Sequence, residues 1–214
     1  MRARVEDGPV TGRIDKRRAI LDAAFTVFAR LGYEQACVRE IAAEAGVAKP
    51  TVYNHMTDKE SLLREALLLA ADRVGAECLA AVERLRNPGP DLAAALEDTA
   101  RRLLRICAGD TSHALRRLAA AQANRLPELV TQVRERTASG TLDALTDRLG
   151  MLALSGQLHT TDPATAAEQF LALLTGPLEN RSGHGTRKVP PAELRAIATA
   201  AVRTFLAAYG TGHN

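Results

Sequence analysis

The stretch Val38-Arg39-Glu40-Ile41-Ala42-Ala43-Glu44-Ala45-Gly46-Val47-Ala48-Lys49-Pro50-Thr51-Val52-Tyr53-Asn54-His55 reads as two short helices, about Arg39–Ala45 and Lys49–His55, joined across barely three residues. Two helices crossing at roughly 90–120° need a small residue where they approach, a glycine in the turn, and apolar residues holding each to a third helix. Ala42, Gly46, Val47 and Val52 meet those needs, and Ile41 points inward. Pro50 falls in the first turn of the second helix, where its missing N–H costs little. The stretch is a helix-turn-helix. Its exposed face carries Lys49, Thr51, Tyr53, Asn54 and His55, with Arg39 on the preceding helix. In this motif the start of the second helix meets base edges in the major groove while flanking side chains grip phosphate. Thr51 can touch a thymine methyl or a base edge, and Asn54 can pair with adenine. The competing reading makes Tyr53 half core and His55 merely solvated.

Outward from this motif the chain is a run of helices. Upstream, Ile20, Leu21, Ala24, Val27, Phe28 and Leu31 recur with the 3.6-residue period of an amphipathic helix, and Gly32 closes it. Downstream, Thr57-Asp58-Lys59-Glu60 has the spacing of a capping box and opens a long helix towards Arg84, broken at Asn87-Pro88-Gly89-Pro90. Further helices are predicted at about Asp91–Ala108, His113–Asn124, Pro127–Leu154 with an irregularity at Ser139-Gly140, Pro163–Thr175 ending at Gly176-Pro177, and Ala192–Tyr209. Asn180–Pro191 reads as a mobile loop. The fold class is all-α: a flexible basic arm over 1–14, a three-helix DNA-binding domain over 15–60, and a larger helical domain over 61–212.

Composition agrees and removes other classes. Aromatics are 3% with no Trp, against an abundance of Ala, Leu, Arg and Glu, which disfavours strands. The net charge of +3 is compatible with a polyanionic partner without requiring one. Residues 1–59 carry ten Lys/Arg and eight Asp/Glu, with the local excess in Arg2, Arg4, Arg13, Lys16, Arg17 and Arg18. Cys37, Cys78 and Cys107 are odd in number and far apart in sequence, so neither a disulfide framework nor a metal site is indicated. There is no apolar leader and no run long enough to span a bilayer, so the protein is expected to be cytoplasmic, with no membrane partner. No GxGxxG, P-loop, HExxH or GxSxG motif occurs, the five histidines are scattered, and neither enzymatic activity nor a cofactor is expected. Arg101-Arg102 and Arg116-Arg117 read as solvated faces.

From Gly32-Tyr33 through Val38-Arg39-Glu40-Ile41-Ala42, Gly46-Val47-Ala48-Lys49, Thr51-Val52-Tyr53-Asn54-His55-Met56 and Asp58-Lys59-Glu60-Ser61-Leu62-Leu63, the chain resembles the TetR family of bacterial transcriptional regulators. The resemblance covers about residues 13–63. It implies phosphate contacts from Tyr53, His55 and Lys59. Arg125-Leu126-Pro127-Glu128-Leu129 and Ala167–Pro177 resemble, more loosely, the AefR-like branch of C-terminal domains. Cys37 and Ala48 stand where the family usually has a Ser or Thr cap, each typically worth about 1 kcal/mol, and Met56 replaces a usual Phe. Cys37 reads either as a small buried residue or as a reactive thiol at a helix N-terminus.

The resemblance makes the rest of the chain a ligand-sensing and dimerising body. Ala166, Phe170, Leu173 and Leu174 on one late helix, and Leu194, Ile197, Ala201, Phe205 and Tyr209 on the last, form wide apolar stripes that two protomers could join as a four-helix bundle. Alternatively the stripes face their own core. Few aromatics line the central helices, so an aliphatic effector pocket is expected, with Phe170 beside it and His113, Gln122 and Asn124 as polar contacts. The sequence therefore predicts a homodimeric, ligand-responsive repressor on a palindromic double-stranded operator. The rival is a helical small-molecule carrier or interaction protein whose helix-turn-helix no longer binds DNA.

Overall fold

The computed structural model describes residues 9–183 and 185–211, with side chains from Asp15 onward. Among the described residues there are nine α-helices and no strand: α1 (Pro9–Gln35), α2 (Val38–Glu44), α3 (Lys49–His55), α4 (Lys59–Glu83), α5 (Leu92–Cys107), α6 (Asp110–Ala121), α7 (Pro127–Leu154), α8 (Pro163–Ser182) and α9 (Pro191–Tyr209). A 3₁₀ turn, Arg84–Arg86, extends α4. The expected basic arm lies partly outside the described residues, at 1–8, and from Pro9 the backbone is part of α1. No helix among the described residues is long and apolar enough to cross a membrane.

The chain divides into two compact units, and passes between them within α4 at Ala70 and Ala71. The first runs up to Ala70 and includes Ala114–Val133. Ile20, Ala24, Val27 and Phe28 of α1, Ile41 and Ala42 of α2, Val52 of α3, Met56, and Leu62, Leu63 and Leu67 of α4 are buried there. Gly46 takes φ +66 in the α2–α3 turn, a left-handed conformation that favours glycine. The amides of Gly46 and Val47 then close α2 by donating to the carbonyls of Ala43 and Ala42. Gly32, at φ +78, interrupts α1, and Phe28 and Tyr33 stack at 6.0 Å across the break.

The second unit comprises Ala71–His113 and the chain from Arg134 onward. Here α5 packs on α9, and α8 packs on both. Phe170 meets Phe205 edge-on at 5.1 Å, and Phe205 lies 4.8 Å from Tyr209. Leu96, Leu103 and Leu104 of α5 and Leu194, Ile197 and Val202 of α9 are all buried.

Four sequence expectations change. α4 is capped by Asp58, whose carboxylate accepts from the Ser61 amide at 2.7 Å, and not by Thr57. α7 runs unbroken through Ser139 and Gly140. α6 begins at Asp110 and ends at Ala121, leaving Asn124 outside it. α8 continues through Gly176 and Pro177 to Gly183, whose φ of +53 ends it. An interior proline costs about 3 kcal/mol, and burying Leu174 and Leu178 along the same stripe, at about 1.5–3 kcal/mol each, offsets it. The first three residues of the supposed loop, Asn180 to Ser182, are therefore helix end, and Arg187 ties the remainder by donating to the Arg181 carbonyl at 2.9 Å and to Glu193 at 2.8 Å.

Candidate nucleic-acid interface

Seven residues to α3 give it less than two full turns, so its position depends on the contacts of Val52, its one buried residue. The spacing of 3.6 residues then sends Lys49 and Tyr53 outward together, one turn apart, with the Lys49 ammonium 5.7 Å from the Tyr53 ring centre. Tyr53 remains 51% exposed. Pro50 and Asn54 are exposed beside it, and Thr51 and His55 are half-buried.

An open concavity of about 750 Å³ lies against this face, lined by Arg39, Lys49, Tyr53 and Lys59 together with Glu34, Cys37 and Asp58. Four of the seven sequence-predicted DNA contacts thus converge on one hollow. Thr51, Asn54 and His55 stand outside its lining. Three cations and a phenol make this rim suited to a phosphate backbone.

One of the two acids in the hollow, Asp58, is already engaged. Asp58 is held below the usual carboxylate range by the Ser61 amide. Just behind the rim, Glu40 is lowered chiefly by the Cys37 amide, which donates to its carboxylate at 3.1 Å, and further by Arg30 and Arg39. That bond answers the expected weakness at Cys37: the helix start is secured from the Glu40 side. Ala48 makes no side-chain cap, as its chemistry dictates.

Sequence reasoning missed the support under Lys59. Its ammonium donates to the Glu34 carbonyl at 3.1 Å and sits 4.5 Å over the Tyr33 ring. Arg125 covers the same ring at 4.9 Å and donates to Glu60 at 2.5 Å. A lysine has three donors, so two remain for a ligand. Gly32-Tyr33 was the visible signal, but nothing in it named the cations that the ring would hold.

The effector residues are placed differently from expectation. An apolar cavity of about 130 Å³ in the second unit is lined by Cys78, Leu103, Cys107, Thr141, Leu171 and Leu174, among others. None of His113, Gln122, Asn124 or Phe170 lines it. Gln122 and Asn124 belong to the first unit, His113 lies against Gly185, and Phe170 is fully buried against Phe205. The residues named for a dimer seam, Phe170, Leu174, Leu194, Ile197, Ala201 and Phe205, are all buried within the single chain, so their own core already covers them.

Comparison with known proteins places both halves. Residues 20–66 match the family described as bacterial regulatory proteins, tetR family, and residues 94–211 match the C-terminal domain of AefR-like transcriptional repressors. A crystal structure from Mesorhizobium loti, of a protein assigned to the TetR-family transcriptional regulators, is 33% identical with a TM-score of 0.85, covering 93% of this chain and 98% of that one. The flavonoid-responsive regulator FrrA is 26% identical with a TM-score of 0.68, covering 93% and 99%. The HTH-type transcriptional repressor KstR2 of Rhodococcus jostii is 39% identical over 57 residues, 27% of this chain, which spans only 28% of that repressor's length.

Proposed function

This chain belongs to the TetR family of bacterial transcriptional regulators, and from that premise we propose that it is a cytoplasmic repressor binding a palindromic operator as a homodimer, released by an apolar small molecule. The observation that carries this is the convergence of Arg39, Lys49, Tyr53 and Lys59 on one open hollow beside α3. In the proposed complex Thr51 and Asn54 meet base edges, while Tyr53, His55 and the three cations meet phosphate. Two reading heads then sit about one DNA turn apart, roughly 34 Å, or a multiple of it.

The response to ligand is supported by the cavity in the second unit. At about 130 Å³ it is smaller than the roughly 300–1,000 Å³ of ordinary ligand sites, so an effector must push its walls apart. One of those walls is Cys78 of α4, the helix whose first residue, Lys59, stands on the DNA-facing hollow. A ligand that displaces α4 would change the presentation of that hollow. The seam of the dimer is proposed on the outer face of α9, where Ala196, Thr199, Ala200, Arg203 and Ala207 are exposed and mostly small.

Selection of duplexes from a random pool by the full chain tests this, followed by salt titration of the winner. An inverted repeat is expected, with affinity falling steeply as salt rises because phosphate contacts release counterions. Folded protein that enriched no duplex, with or without a library of hydrophobic small molecules, would overturn the proposal and favour the carrier reading.

A further inference from the structure

The sequence separates Cys78 and Cys107 by a helix break and most of α5, but the fold brings them together. Both line the apolar cavity of the second unit, and Cys107 is the neighbour that, with burial, pushes the Cys78 thiol up. Cys78 is 4% exposed, while Cys107, the last residue of α5, is half-buried. Neither is in a disulfide. Leu103, Leu104, Leu171, Leu174 and Leu178, with three threonines and an alanine, form the rest of the wall. A thiol pair in contact at the surface of a cavity is chemically different from two isolated buried cysteines, because whatever reacts at one sulfur has the other within reach.

We propose that Cys78 and Cys107 are a redox-sensing dithiol, oxidised to a disulfide by an organic hydroperoxide that enters the apolar cavity. Cys107 reacts first, being the partly accessible sulfur. Its sulfur attacks a peroxide oxygen, the O–O bond breaks, the alcohol leaves with the thiol proton, and a sulfenic acid remains. Cys78 then attacks that sulfur, the S–O bond breaks, and water departs carrying the Cys78 proton. In sum two thiols and one hydroperoxide give one disulfide, one alcohol and one water, with two electrons passing from sulfur to peroxide. Cys107 and burial push the Cys78 thiol above its ordinary range, which makes it the weaker nucleophile of the two and leaves the first attack to Cys107.

The class of oxidant follows from the walls. Cys107 ends a helix, where the negative end of the macrodipole disfavours a thiolate, so attack on a dilute polar oxidant is slow. An apolar hydroperoxide gains by burying its hydrocarbon part against the leucines, and its local concentration offsets that handicap. The resulting S–S bond, about 2.05 Å long, would join α4 to α5 across the cavity and reduce the room for any other ligand. Its effect on DNA rests on the regulator reading above, whereas its formation does not, and is read on the protein alone.

The test treats the reduced full chain with cumene hydroperoxide and, separately, with hydrogen peroxide. Intact mass should fall by two hydrogens, reversibly with dithiothreitol, and non-reducing proteolysis should give a Cys78–Cys107 peptide. Cumene hydroperoxide should act about tenfold faster or more at equal concentration, by the burial of its apolar carbons. Cys107→Ser should abolish the crosslink and Cys37→Ser should leave it intact. Where an operator is in hand, oxidation should change the affinity of wild type and Cys37→Ser but not of Cys107→Ser. Oxidation confined to Cys37, a stable sulfenic acid on Cys107 without a crosslink, equal rates with both oxidants, or a disulfide with no effect on operator affinity would each overturn the proposal.

Discussion

Tyr53 keeps half of its surface in solvent although it sits on a helix that is pinned by a neighbouring residue, Val52. Its ring is therefore free to leave water for a partner, and its removal should be felt by any duplex. Tyr53→Ala is expected to weaken binding about tenfold regardless of sequence, as loss of a hydrogen bond to a charged group would do, whereas Thr51→Ala should change base preference with a smaller loss of affinity. Competition titrations against operator and scrambled duplexes distinguish the two, and wild-type behaviour by both variants would show that α3 presents another face. A second residue-scale prediction concerns Glu40. Its folded carboxyl lies below the ordinary value of about 4.3, so its contribution is complete above that pH and is lost as pH falls through the lower folded value. Glu40→Gln should melt below wild type at pH 7, and the gap should narrow in acid. A gap that widened with acid would mean that the Cys37 amide is not what holds Glu40. At this scale the sequence exposed the polar face of α3 because polar side chains at helical spacing have nowhere else to go. It hid the Cys78–Cys107 contact because their separation in sequence carries no information about tertiary approach.

Among the elements, α4 and α7 approach closely where Gly75 faces the Arg136 backbone: a Cβ built on Gly75 would stand 2.2 Å from the Arg136 carbonyl oxygen. Alanine there gains about 1 kcal/mol of helix propensity but forces the helices apart, so Gly75→Ala should be destabilising by about 1–3 kcal/mol. Gly140, also within a helix, has nothing within 4 Å of such a Cβ, and Gly140→Ala should stabilise by about 0.5–1 kcal/mol. Thermal melts should move in opposite directions, by about 2–4 °C per kcal/mol for a chain of this size. A Gly75→Ala variant as stable as wild type would mean that α4 can shift without cost. The bounds of α3 and α7 could be read from the sequence to the residue, because Pro50, Pro127 and the apolar period agree locally. The end of α8 could not. Gly176-Pro177 is a local stop signal, and what overrides it is the buried stripe formed by Phe170, Leu174 and Leu178, a property of the packed unit.

For the molecule as a whole, the same burial relocates the proposed dimer seam. Phe170, Leu194, Ile197, Ala201 and Phe205 make the protomer's own core, which the periodicity could identify as apolar without saying what would cover it. What α9 leaves outside is the small-residue face containing Ala196, Ala200 and Ala207. Small residues let two helices approach closely, so one carboxylate placed among them should disturb an isologous contact twice, once from each protomer. Ala200→Glu is expected to sediment as a monomer at concentrations where wild type is a dimer, while melting close to wild type, because the substitution faces solvent in the single chain. Each monomer then holds one half-site only, and operator affinity should fall about a hundredfold or more through loss of the linked second contact. Affinity for an isolated half-site should be unchanged, which separates broken pairing from a damaged reading head. An Ala200→Glu protein that still sedimented as a dimer would place the seam on another surface, with exposed Leu79, Met151 and Leu154 the next to be tested.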